Sequence, residues 1–159
     1  MNSTSSPPVA VASQRTTALR GNFVLLRADT LRLLLPQREV GAAEYIEGAP
    51  GPGSAGGLFE FGAGDEALAV VALSGRMEPL AQWPQGRFVV TRLAAGDTGI
   101  CFAWNETRVL IDAQLELRPL PAAMRVAGSP IEGYVEHEGE LLFCTTARHV
   151  IEAAGAAAG

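Results

Sequence analysis

Apolar residues along the chain come in short runs broken by turn formers, and helical periodicity is scarce. "NFVLLRA" (22–28) predicts a strand, Asp29-Thr30 a turn, and "LRLLLP" (31–36) a second strand that Pro36 ends. "QREVGAAEYI" (37–46) predicts a short helix with Val40 and Ala43 inward, weakened by Gly41. Residues 47–57 alternate glycine and proline and predict a loop. "EALAVVALSGRMEPLA" (66–81) reads as a strand, a Ser74-Gly75 turn and a poorer strand. "RFVVTRL" (87–93), "GICFAW" (99–104) and "TRVLID" (107–112) follow as three more. "PIEGYVEH" (130–137) and "ELLFCTT" (140–146) predict a hairpin across Glu138-Gly139, and "ARHVIEAA" (147–154) a closing amphipathic helix. Many short strands with little helix predict a barrel or a sandwich.

An internal repeat refines this expectation. Phe23-Val24-x-x-Arg27 recurs 65 residues later as Phe88-Val89-x-x-Arg92, and the turn residue Gly75 recurs 64 residues later as Gly139. The spacing predicts one domain over residues 21–154 built from two similar β lobes, roughly 21–84 and 85–154, with crossover of the termini between them left open. Lobes of that size are marginal alone, so they are expected to share a core. Residues 1–20 are rich in Ser, Thr and Pro and residues 155–159 are Ala and Gly only; both are expected to be disordered tails.

Composition narrows the function classes. With 159 residues and 48% hydrophobic content the chain has material for a real core. Its net charge of −5 offers no cationic surface to displace nucleic-acid counterions. All 12 basic residues are arginine, which removes the lysine that a P-loop, a Schiff-base enzyme or a protein kinase requires. The first residues carry no positive segment, and the longest apolar run, Ala67–Leu73, is too short for a membrane-spanning helix. The expectation is a soluble, cytoplasmic protein without membrane insertion.

Candidate chemistry is thin. "GPGSAG" (51–56) matches G-x-G-x-x-G at Gly51, Gly53 and Gly56, but Pro50 and Pro52 interrupt it and no βαβ unit surrounds it, so it reads as a loop. Cys101 and Cys144 lie in apolar runs and read as buried thiols, with a disulfide between them left open. His137, Glu138 and Cys144 form the one combination that would serve a small β-barrel enzyme or ligand-binding protein. Glu132, Glu136, Glu138 and Glu140 crowd one hairpin, with the first three expected on one side, and read as a solvated edge. No cofactor, metal or catalytic group is assigned.

The order of landmarks resembles the CheW-like domain of bacterial chemosensory adaptors. They are "FVLLRADTLRLLLPQREV" (23–40), "VVALSGRMEPL" (70–80), "RFVVTRLAAGDTGICFAWNETRVL" (87–110), "LRPLP" (117–121) and "IEGYVEHEGELLFCTTARHVI" (131–151). The resemblance implies two small β-barrels and a non-catalytic scaffold that couples chemoreceptors to a CheA-type histidine kinase, or serves an analogous pilus-driven motility pathway. It places the protein-binding residues at Arg38, Glu39, Ser74, Arg76 and Glu78. The chain departs from the family pattern at the turn, where Ala72 and Ser74 stand for an Asn and an Arg, and Ser lacks the forked permanent charge of Arg.

Overall fold

The structure, a computed structural model, describes residues 15–46, 50, 57–61, 68–86, 88–94 and 100–158. Among these the chain forms ten strands and one α-helix: β1 (Thr17–Ala28), β2 (Leu31–Pro36), β3 (Glu44–Ile46), β4 (Phe59–Phe61), β5 (Leu68–Ala72), β6 (Phe88–Arg92), β7 (Ile100–Trp104), β8 (Glu106–Leu117), β9 (Gly133–His137), β10 (Glu140–Cys144) and α1 (Ala147–Ala158). The strands build two curled half-barrel sheets, ordered β8-β1-β2-β10-β9 and β3-β6-β7-β5-β4. Read in those orders, both sheets pair antiparallel, antiparallel, parallel, antiparallel.

The two sheets do not follow consecutive halves of the chain. The second takes strands from Glu44 to Trp104, and the first takes the segments on either side, so no boundary falls between residues 84 and 85. The Phe-Val-x-x-Arg landmark lies on β1 and β6, the second strand of each sheet. The glycine landmark does not correspond: Gly139 lies in the turn between β9 and β10, whereas Gly75 lies in the turn after β5.

Both faces of the central strands are buried, which is why their sequences read as unbroken apolar runs. On β1, Val24 and Leu26 face a core shared between the sheets while Leu25 faces the interior of the first sheet. β2 divides Leu33 and Leu35 from Leu34 in the same way. In the second sheet Phe102 and Trp104 of β7 reach the shared core, and Cys101 and Ala103 turn to its own interior. The period of two along each strand thus serves three apolar clusters. Helix α1 adds Ala147, Val150 and Ala154 to the shared one.

Three expectations are corrected. The helix expected over 37–46 is a single 3-10 turn, Gln37–Glu39, followed by β3. Gly41 donates its N–H to the Arg92 carbonyl at 2.7 Å, and a Cβ there would sit 3.2 Å from that oxygen. Pairing with β6 therefore outcompetes a helix whose interior glycine costs about 1 kcal/mol. The tail expected to reach residue 20 gives way at Thr17, because Thr17–Gly21 pair with Ala113–Leu117 of β8 and Leu19 packs inside the first sheet. At the other end α1 runs to Ala158 rather than stopping at 154. Residues 51–56, the glycine-rich motif, lie outside the described residues, as do 1–14 and 159.

No helix among the described residues is long and apolar enough to cross a membrane.

Candidate protein-interaction site

The turn after β5 is built by one hydroxyl. Ser74 Oγ accepts the N–H groups of Arg76 at 3.1 Å and Glu78 at 3.3 Å. Backbone bonds close around it: Ser74 N–H to the Glu78 carbonyl (2.8 Å), Met77 N–H to the Ser74 carbonyl (3.0 Å) and Leu80 N–H to the Ala72 carbonyl (2.8 Å). Met77 adopts a left-handed φ of 62°, which aims its side chain into the shared core while Arg76 and Glu78 stay exposed. Gly57 buttresses the base, since a Cβ there would lie 2.7 Å from that of Pro79. The small polar Ser at position 74 is therefore a turn organiser, and Arg76 and Glu78 are the charged side chains that the turn exposes. Sequence reasoning placed Ser74 among contact residues; its hydroxyl is instead committed within the turn.

The five expected interface residues are not brought together. The Ser74 turn lies against Thr30, at the β1–β2 turn. Arg38 and Glu39 follow Pro36 at the far end of β2, roughly 17 Å along the strand. Arg38 is exposed. Glu39 is committed internally: its Oε1 accepts the Ala147 N–H at 2.8 Å at the start of α1, and its carbonyl accepts the Ala94 N–H at 2.8 Å. A carboxylate suits that place because a helix N-terminus carries unpaired N–H groups and a positive dipole end.

Each of these ends opens on a cleft in the seam between the sheets. One, of about 290 Å³, lies beside Ser74 between Asp29, Leu80, Phe88 and Asn105. The other, of about 310 Å³, lies beside Gln37 between Val40, Ala43, Thr91 and Val109. On the outer strands β3 and β8, Tyr45, Val109 and Ile111 are exposed.

The alternative chemistry is not assembled. Cys144 pairs with Gly133 and His137 with Glu140, so the two side chains stand four ladder steps apart, roughly 13 Å. Cys144 is enclosed with Leu25, Leu34 and Val135, and burial pushes its thiol up to about 12, with Glu132 adding to the rise. The thiolate needed for nucleophilic attack is therefore suppressed. Cys101 belongs to a different cluster and both cysteines are free; burial also raises the Cys101 thiol, against the pull of Arg92.

Three of the four hairpin carboxylates pair with an arginine, and the fourth, Glu132, lies near a histidine. Glu136 meets Arg118 at 3.5 Å, Glu138 meets Arg108 at 3.2 Å, Glu140 meets Arg32 at 3.3 Å, and Glu132 lies 4.0 Å from His149. Among the described residues no group of three or more His, Cys, Asp or Glu side chains is placed to hold a metal ion.

Scans against protein-family models and curated proteins returned no match for the chain.

Proposed function

We propose that the protein is a non-catalytic adaptor of the CheW-like kind, which couples chemoreceptors to a CheA-type histidine kinase or serves an analogous pilus-linked array. The observation that carries this reading is the pair of five-stranded sheets with one pairing scheme around a common core, in a chain whose landmarks follow the order of that family. A bridging protein needs a rigid body with separate faces. Here a stiff turn presents Arg76 and Glu78 at one end of the seam, and Arg38 stands exposed at the other. Ser74 and Glu39 hold those faces in shape, so the contact set contracts to Arg38, Arg76 and Glu78. The setting is cytoplasmic, where such kinases and receptor tips meet.

Titration calorimetry with the regulatory domain of a CheA-type kinase tests the reading. Arg76→Ala is expected to weaken binding by about 1–2 kcal/mol, as loss of an exposed anchor does, with an unchanged melting temperature. An unchanged affinity would remove the turn from the interface.

A further inference from the structure

We propose that Asn105 is a positioning residue for the Arg76–Glu78 turn, acting across the seam through the β1–β2 turn. This rests on the adaptor reading only for its effect on affinity.

Asn105 lies between β7 and β8, where the chain passes from one sheet to the other. It grips the β1–β2 turn twice. Its own N–H donates to the Arg27 carbonyl at 2.7 Å, and its Oδ1 accepts the Asp29 N–H at 2.7 Å. Asp29 holds a φ of 56°, a left-handed conformation that Asp and Asn adopt more readily than other residues with a Cβ, and the Asn105 bond fixes it there. Loss of the Oδ1 acceptor leaves Asp29 without its partner for that N–H and frees the turn to relax.

The next residue transmits the constraint. Thr30 Oγ1 sits 3.2 Å from where a Cβ on Gly75 would be, tighter than ordinary packing. Thr30 therefore rests against the backbone of the turn that Ser74 organises. Asp29, Ser74 and Asn105 also line the same cleft of about 290 Å³, together with Leu80 and Phe88, so the two turns and Asn105 border one space. The path is short: Asn105 fixes Asp29, the fixed turn sets Thr30, and Thr30 sets how far the Arg76–Glu78 tip stands out.

Gly75 supplies an independent handle. Its φ is not left-handed, so alanine is allowed by the backbone and differs only by the Cβ that meets Thr30. Gly75→Ala should shift the tip, and adding Thr30→Ala should restore it by removing the opposing atom.

The experiment measures amide hydrogen exchange at Met77, Glu78 and Leu80 in the full chain, beside titration with the kinase regulatory domain. Asn105→Ala is expected to speed exchange at Met77 and Glu78 and to weaken binding about three- to tenfold, the size of a coupling passed through packed neighbours. Asn105→Asp, which keeps the acceptor, should stay near wild type. Gly75→Ala should perturb the same amides, and Thr30→Ala/Gly75→Ala should recover. Faster exchange at Asp29 alone, with Met77 and Glu78 unmoved in both Asn105→Ala and Gly75→Ala, overturns the proposal. Perturbed exchange at Met77 and Glu78 with unaltered affinity supports the coupling and removes the turn from the kinase interface. If the wild-type protein binds no kinase domain, the adaptor reading fails, while the exchange arm still decides the coupling.

Discussion

Trp104 is fully buried at the end of β7, and its indole N–H donates to Thr91 Oγ1 at 2.8 Å on the neighbouring strand. Thr91 is itself buried, so the pair forms a closed polar bond inside the shared core. Thr91→Val keeps the shape but strands the indole N–H, which costs about 1–3 kcal/mol; urea unfolding should show that loss, and Thr91→Ser should recover most of it. The Cys144 thiol gives a second residue-scale test. Its folded value lies near 12 against 9.0 unfolded, so the unfolded chain loses this proton first. Stability should therefore be at its full value below pH 9 and decline between pH 9 and about 12, by up to about 1.4 kcal/mol per unit. Cys144→Ala should flatten that decline in pH-dependent unfolding; an identical slope in the variant would show that other groups cause it.

At the scale of elements, most of the central strands were legible because apolar runs bounded by Gly, Pro and Asx have few other readings. "LRLLLP" became β2 with the expected ends. The ends of β1 and β8 were not legible. "TALRG" and "AQLEL" look polar because only one face of each is covered, by Leu19, Leu115 and Leu117. β4 escaped notice because Phe59–Phe61 is three residues long among glycines; it shows in the structure through Trp83, whose ring lies 5.2 Å and 4.8 Å from those of Phe59 and Phe61. At the candidate site, the internal hydrogen bonds of Ser74 and Glu39 were not read from the sequence. The Ser74 bonds are local, reaching only two and four residues on, whereas the helix cap depends on tertiary placement, since Glu39 and Ala147 are 108 residues apart. Asn105 carried no local signal at all, since its partner is 76 residues away. The cap yields an element-scale prediction. Glu39→Ala should destabilise the protein by about 1 kcal/mol and speed amide exchange at Ala147, with Glu39→Gln milder because it keeps an oxygen acceptor. Unchanged exchange at Ala147 would mean that water replaces the carboxylate at no cost.

At the scale of the molecule, the first sheet closes around the second in sequence, with β1 and β2 before it and β8, β9 and β10 after it. Neither sheet is an independent unit, because Val24, Leu26, Leu33 and Leu35 of one and Val71, Phe102 and Trp104 of the other make a single core. Such a body holds its two ends at a fixed distance, which is the mechanical requirement for bridging two partners. We propose that it bridges them. The most direct measurement is co-sedimentation of a CheA-type kinase regulatory domain with assembled chemoreceptor tips, with and without this protein. Recovery of the kinase domain with the receptors is expected only when the protein is present, and less so with Arg76→Ala. Recovery that does not depend on the protein, or binding in which either partner displaces the other, would contradict it.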